Sequence, residues 1–327
     1  MKTADKPVVA VDVGGTKFIA AVVNNKGKML SRVYSLTHAE QGPKKVIRRL
    51  ITTIHEAIQK SGTGIKGVGG VSLAVAGVID INRGLITEAP NLPDWHDVRL
   101  DGLLQEEFKI PAFLLNDASA AALGERCFGA GHGIDNLIYI TVSTGIGGGF
   151  ILNGELYNGT DGSAAEIGHM IVLADGPACG CGQHGCLEAL ASGTAIARMA
   201  TERICSGENS MLLDMVGGIP ASITAEHVTV AARKRDVLAL SVIREAAYYL
   251  GIGLSNLVNL FNPQVIVIGG GVSAMGEMLL RPARKSMKEH AFILPASTVR
   301  IIKSKINPDG GILGAAAYAQ LKLGGCK

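Results

Sequence analysis

The feature that most constrains this 327-residue chain is a pattern it carries twice. Val8–Val13 is an apolar run, Gly14-Gly15-Thr16 breaks it, and Phe18–Val23 resumes it; Asn24-Asn25-Lys26-Gly27 turns, and Lys28–Ser35 continues extended. The second copy runs through Leu137–Val142, the break Ser143–Gly149, Phe150–Leu152, the turn Asn153-Gly154 and Glu155–Tyr157. Short apolar runs joined by Asn- and Gly-bearing turns read as hairpin-linked strands. Repetition of the whole unit reads as an internal duplication.

The rest of the chain supplies helices and buried strands. Pro43–Ser61 places Val46, Ile47, Leu50, Ile51, Ile54 and Ile58 on one helical stripe. Leu100–Phe108, Ala118–Phe128, Leu187–Ile204, Thr224–Lys234, Val237–Phe261 and Gly311–Leu323 also read as helical, and Val68–Val75, Ala112–Leu115 and Val265–Ile268 as strands. Strands alternating with helices imply an α/β fold, with parallel inner strands and hairpins at the edges. At 33.9 kDa the chain can build two cored domains. The expected division is residues 1–117, completed by a C-terminal helix at 311–327, and a larger domain at 118–310. Two such domains facing each other would leave a cleft.

Composition removes several classes of function. A net charge of +3 gives no electrostatic case for nucleic acid or membrane binding. The longest apolar runs are near eight residues, far below a membrane span. The first residues, MKTADKPVVAVDVGG, enter a strand without a charged and apolar leader, and free cysteines fit a reducing cytoplasm.

The segment Glu166–Glu188, EIGHMIVLADGPACGCGQHGCLE, concentrates ligand chemistry. His169, Cys179, Cys181 and Cys186 have the types and loop spacings of a closed tetrahedral zinc site, which is structural because no position stays open. His184 is a rival to His169, but it lies too near Cys186 to share a tetrahedron easily. A disulfide, or three cysteines buried as small hydrophobes, are the bland readings. Cys179 and Cys181 are too close for an unstrained bridge, so a disulfide would need Cys186. The other three of the six cysteines, Cys127, Cys205 and Cys326, are scattered, unlike a secreted disulfide framework. Glu166 and Glu188 bracket the cluster, which suggests a scaffold for a polar binding site.

Three glycine-rich breaks suit phosphates or a nucleotide. Asp12-Val-Gly14-Gly15-Thr16-Lys17 is a tight turn whose glycines let backbone N–H groups approach a phosphate, with Thr16 and Lys17 adding a hydroxyl and a charge. No helix follows it, so it is neither a dinucleotide fingerprint nor a Walker loop. Alone it could be an ordinary hairpin turn, but Ser143–Gly149 repeats it, and Gly269-Gly270-Gly271 follows a buried strand. Asp12 is a turn residue or a holder of hydrated Mg²⁺. Asp117 ends a strand and opens a helix. It is either a helix cap or a general base for a substrate hydroxyl, and its place at the expected domain junction favours the base. The loop Asn91-Leu-Pro-Asp94-Trp95 is a surface loop or a sugar-contacting one, with Asn91 as donor and acceptor.

Taken together, DVGGTK, LNDASAAALGE, VSTGIGGG, EIGHM with CGCGQHGCLEALASG, and VIGGGVS make the chain resemble the ROK family of sugar kinases and repressors from about Val8 to Gly314. The resemblance implies an actin-like, RNase H-like ATPase fold of two similar domains with a cleft between them. It also implies ATP and Mg²⁺ as cosubstrates and phosphorylation of a hexose at the 6-hydroxyl. Carried over by motif, Asp117 would be the base. Asn116, Glu166, His169 and Glu188 would touch sugar hydroxyls, with Gly77 and Asn91 beside them. Gly14, Gly15, Thr16, Thr144 and Gly145 would hold phosphates, and Gly269 and Gly270 would lie near the nucleotide. His169 would ligate zinc with one nitrogen and face the sugar with the other. Ser119 stands where the family often has asparagine. Glucose is the expected substrate; N-acetylmannosamine, N-acetylglucosamine and fructose are alternatives. A sugar-responsive repressor is a further one, disfavoured because only eleven residues precede Asp12. Family resemblance favours a homodimer or homotetramer.

Overall fold

The computed structural model describes residues 5–89 and 91–324. Cys326, the two ends of the first expected domain at 1–4 and 325–327, and Pro90 before the Asn91 loop lie outside the described residues. The chain forms two compact units: one holds residues up to Asp135, then Gly149–Ala165 and Lys305 onward; the other holds Asn136–Gly148 and Glu166–Ser304.

In the first unit, β1 (Val8–Val13), β2 (Lys17–Val23) and β3 (Met29–Leu36) make an antiparallel meander. Helix α1 (Pro43–Ser61) follows, opened by proline in its first turn and closed by Gly62 at φ 72°. Strand β4 (Val71–Val75) returns parallel to β1. A small sheet of β5 (Val78–Asp80), β6 (Leu85–Glu88) and β7 (His96–Val98) intervenes, then α2 (Leu100–Phe108) and β8 (Ala112–Asn116), which is parallel to β4. Strand β8 feeds directly into α3 (Asp117–Phe128). The main sheet has the order β3-β2-β1-β4-β8. Alternation along β1 sends Val9, Val11 and Val13 into one core with Val46, Leu50 and Ile54 of α1.

The second copy begins with β9 (Leu137–Val142), β10 (Ile146–Leu152) and β11 (Glu155–Tyr157). Helices α4 (Leu187–Ala191), α5 (Gly193–Cys205), α6 (Leu212–Met215), α7 (Ala225–Arg233) and α8 (Val237–Phe261) come next. They are followed by β12 (Val265–Gly269), α9 (Glu277–His290), α10 (Ile293–Thr298), β13 (Arg300–Lys303) and α11 (Gly310–Lys322), the last within the first unit. Its sheet order, β11-β10-β9-β12-β13, repeats that of the first sheet position by position, with β12 parallel to β9 as β4 is to β1. The duplicated sequence pattern is therefore a duplicated topology, that of an actin-like ATPase.

Several local expectations are corrected. Gly147–Gly149 is strand, so the second glycine break narrows to Ser143-Thr144-Gly145. The helix expected over Leu187–Ile204 is two helices, because Ser192 caps a new one by accepting the Ala195 N–H at 3.1 Å. Trp95 is not a surface residue: it is 1% exposed and belongs to the core beside Leu100 and Leu104. Helix α8 is long and apolar enough to cross a membrane although its apolar runs are short. More than half of its apolar window is buried, and Gly251 packs against Ser286 and Ala283 of α9, so it is a core helix.

Candidate active site

In the first unit the turn between β1 and β2 is tightly held. The Gly14 N–H donates to Lys17 O at 3.0 Å, and the buried Thr37 hydroxyl donates to Gly14 O at 2.7 Å. Gly15 lies against Asn91; a Cβ there would come within 2.6 Å of the Asn91 carbonyl. The phosphate-type turn and the Asn91 loop are thus neighbours, and only glycine allows the approach.

Asn116 and Asp117 divide the work at the start of α3. Asn116 caps the helix: its Oδ1 accepts from Ala118 N at 2.9 Å and Ser119 N at 3.2 Å, while its Nδ2 donates to Gly77 O at 3.2 Å. The amide thereby ties Gly77 to the helix start and keeps one Nδ2 hydrogen for another partner. Asp117 is the first helical residue, and its Oδ1 accepts the N–H of its neighbour Ala118 at 2.8 Å. The capping role that competed with general-base chemistry belongs to Asn116.

Two carboxyls here are held above their ordinary values. Burial pushes Asp117 up, opposed by the N–H of Ala118. Asp12 rises from 3.8 to about 6, first through burial and then through the negative charge of Asp117, with Lys17 pulling it back. Gly311, in the first turn of α11, sits close on Asp12; a Cβ there would come within 3.0 Å of the Asp12 carboxyl carbon. Arg32 pairs with Asp309 at 2.9 Å beside it. Thr37, Asp309 and Gly311 carry no motif signal, since 23 residues separate Thr37 from its partner Gly14 and Gly311 lies at the far end of the chain.

In the second unit Glu166 opens a short 3₁₀ turn, Ile167–His169. The chain then folds back so that Ile171 bridges Cys186 and Ala178 bridges His184. The ligand atoms of His169, Cys179, Cys181 and Cys186 all lie within 4.8 Å of one another, and His184 is not in the group. Cys181 Sγ is 3.7 Å from Cys186 Sγ, and Cys179 Sγ is 3.7 Å from His169 Nδ1. A tetrahedron with Zn–S bonds of about 2.3 Å has S···S edges of about 3.8 Å, whereas a disulfide needs about 2.05 Å. The spacing fits a four-ligand metal site and not a bridge. Nδ1 is the histidine nitrogen turned to the cysteines, which leaves Nε2 for another partner. Burial holds the Cys186 thiol up at about 12 and raises Cys179, whereas the Gln183 N–H lowers the exposed Cys181. A divalent ion would displace these protons.

Glu188 stands in the first turn of α4, two residues after Cys186, and its Oε2 accepts the Ile146 N–H at 2.8 Å. Loop residue Thr144 accepts the Thr194 hydroxyl on its carbonyl at 2.9 Å, and Ser143 O accepts the Gly193 N–H at 2.7 Å. Beside this loop is a cavity of about 330 Å³, lined by Thr144, Gly193, Thr194, Thr224, Glu226 and Gly271 among others. Of the third glycine run it is Gly271 that lines the cavity. Gly269 is backed by the Tyr139 hydroxyl and Gly270 by the Val142 backbone. The cavity has the size of a small-molecule pocket. Thr224 and Glu226 stand at the start of α7, where the sequence carries no glycine signal.

Residues 8–322 match the ROK family. The chain is similar to the glucokinase of Thermotoga maritima, at 38% identity over 97% of this chain and 98% of that protein. It is also similar to a putative xylose repressor of Caldicellulosiruptor sp., at 32% identity over 95% of this chain and 77% of that protein. Among solved structures, the ROK family glucokinase from Streptomyces griseus in complex with glucose and AMPPNP superposes with a TM-score of 0.83 at 36% identity, covering 96% of this chain and 99% of that one.

Proposed function

The chain belongs to the ROK family, and on that premise we propose that it is an ATP-dependent hexose kinase that converts glucose to glucose 6-phosphate. The observation that carries the proposal is the division of labour at α3: Asn116 caps the helix and leaves Asp117 a carboxylate with a raised pKa at the helix start. Such a group suits a general base, since proton uptake is most effective when the pKa lies nearer the working pH.

In the proposed reaction Asp117 takes the proton of the 6-hydroxyl as its oxygen attacks the γ-phosphorus. The P–O bond to the β-phosphate breaks, and ADP leaves with that bond's electron pair. Gly14, Gly15, Thr16, Lys17, Thr144 and Gly145 cradle the phosphates with backbone N–H groups, a hydroxyl and a charge. The cavity beside Thr144 receives the nucleoside. Asp12 is the residue for hydrated Mg²⁺, which supplies charge neutralisation of the phosphates when bound. Gly77, Asn91, Asn116, Glu166, His169 and Glu188 hold the sugar.

The cluster of His169, Cys179, Cys181 and Cys186 is proposed as a structural zinc site that fixes the sugar-side residues, with His169 Nε2 turned to a hydroxyl; the 3.7 Å edges support it. The enzyme is proposed to work in the cytoplasm as a homodimer or homotetramer. The exposed apolar side chains of Leu260, Phe292, Ile293 and Leu294 in the second unit support association. The proposed domains are 1–117 with 311–327, and 118–310.

Comparing kcat/KM for glucose, fructose, N-acetylglucosamine and N-acetylmannosamine, with ATP and Mg²⁺, tests the substrate. Glucose is expected to lead by tenfold or more, and a higher value for another sugar would move the assignment to that sugar.

A further inference from the structure

We infer that Glu188, beyond any contact with the sugar, is a positioning residue for the phosphate loop Ser143–Gly145 and so couples the two substrates; the inference rests on the kinase reading. The loop is gripped from two sides. The start of α5 holds its carbonyls, through the Gly193 N–H to Ser143 O at 2.7 Å and the Thr194 hydroxyl to Thr144 O at 2.9 Å. Glu188 holds its exit, accepting the Ile146 N–H on Oε2 at 2.8 Å, a charge-assisted bond. The fit at this point is close: a Cβ on Gly145 would collide with Glu188 Oε2, so any larger residue would push the loop and the carboxylate apart.

The electrostatics make this placement informative. A carboxylate next to a loop that receives phosphates weakens anion binding by like-charge repulsion unless its charge is engaged. Here one oxygen is engaged by the loop itself. The other, Oε1, faces away towards the Cys179 sulfur at 4.0 Å, which itself lies 3.7 Å from His169 Nδ1. The two oxygens share one rigid carboxyl plane. A hydroxyl bound on the Oε1 side therefore restrains Oε2, and with it the direction in which the Thr144 and Gly145 N–H groups point. A nucleotide that orders the loop restrains Oε1 in return, because coupling of this kind is reciprocal.

The test is the affinity of full-length protein for the ATP analogue AMPPNP, with and without glucose, measured by titration calorimetry. Glucose is expected to tighten AMPPNP at least fivefold in wild type. Glu188→Gln keeps an acceptor for the Ile146 N–H, so its sugar-free AMPPNP affinity is expected within about twofold of wild type while its glucose KM rises. Glu188→Ala removes the acceptor and is expected to lose about tenfold in sugar-free AMPPNP affinity and to abolish the effect of glucose. An alanine variant that binds AMPPNP like wild type would overturn the inference, as would equal losses in the alanine and glutamine variants. Should Glu188→Ala fail to fold, Gly145→Ala attacks the same contact from the loop and is expected to lose a similar factor; unchanged AMPPNP affinity in that variant overturns the inference too. Wild type that binds AMPPNP yet phosphorylates no hexose would remove the kinase reading and leave the sugar-free comparison to decide the positioning role.

Discussion

Replacing Asp12 with asparagine should make the protein more stable, and by an amount that depends on pH in a defined direction. The folded protein holds the Asp12 carboxyl at about 6 against an ordinary 3.8, mainly through burial and secondly through the charge of Asp117. A carboxyl whose pKa is raised on folding prefers its proton in the native state. It costs nothing below 3.8, its penalty grows between 3.8 and about 6, and the penalty is complete above that. One pKa unit corresponds to about 1.4 kcal/mol, so the full penalty is about 3 kcal/mol at pH 7.5 and about 1 kcal/mol at pH 4.5. Asparagine keeps the shape and loses the charge. Thermal melts followed by circular dichroism should show Asp12→Asn rising by about 4 °C at pH 7.5 and about a third of that at pH 4.5. Kinase turnover should collapse in the same variant, because this destabilising carboxylate is the proposed holder of hydrated Mg²⁺ at the phosphates. A variant no more stable than wild type at pH 7.5, or one whose gain is the same at both values, would refute the reasoning.

Three other perturbations probe separate parts of the account. Cys181→Ser should lose the proposed zinc and raise the KM for glucose together, checked by metal analysis of wild type and variant alongside kinetics; lost zinc with an unchanged KM would break the link between metal and sugar. Trp95→Ala should cost about 3–5 kcal/mol in urea unfolding, because the indole is 1% exposed in the core, and a loss under about 1 kcal/mol would contradict that placement. The acid limb of log kcat/KM for glucose should lie above pH 3.8, since Asp117 must be ionised to accept a proton and its pKa is raised. An acid limb at or below the ordinary carboxylate value would argue against Asp117 as the base.

What could be read from sequence follows from which interactions are local. The helix at Pro43–Ser61 carries its own stripe, start and stop, and its limits match the sequence expectation. The duplicated strands announce themselves because hairpin turns sit next to the strands they join. Local signals failed where a short polar residue had two possible jobs. Asn116 and Asp117 both suit a helix cap, and only the hydrogen bonds from Ala118 and Ser119 assign the cap to Asn116. Ser192 is a cap signal inside an apolar run, outweighed by the helix formers around it. Gly147–Gly149 looked like loop because glycine disfavours strands, yet Gly149 packs so closely on Ala118 and Ala122 that a side chain would not fit. Partners distant in sequence carry no local signal at all. Gly15 with Asn91, Gly311 with Asp12, and Glu188 with Ile146 are pairings made by the fold. The His/Cys cluster is the exception, since its members lie close in sequence as well as in space: the ligand-type atoms of His169, Cys179, Cys181 and Cys186 lie within 4.8 Å of one another, without His184.

The central claim is that Asp117 serves as the base in phosphoryl transfer from ATP to a hexose, and glucose-dependent ADP formation by wild type and Asp117→Asn tests it most directly. The account predicts steady turnover by wild type with ATP, Mg²⁺ and glucose. For the asparagine variant it predicts a kcat lower by about 10²–10⁴-fold, with the KM for glucose within a few-fold of wild type. No sugar-dependent ADP from wild type with any hexose, or a variant that turns over as fast as wild type, would contradict it.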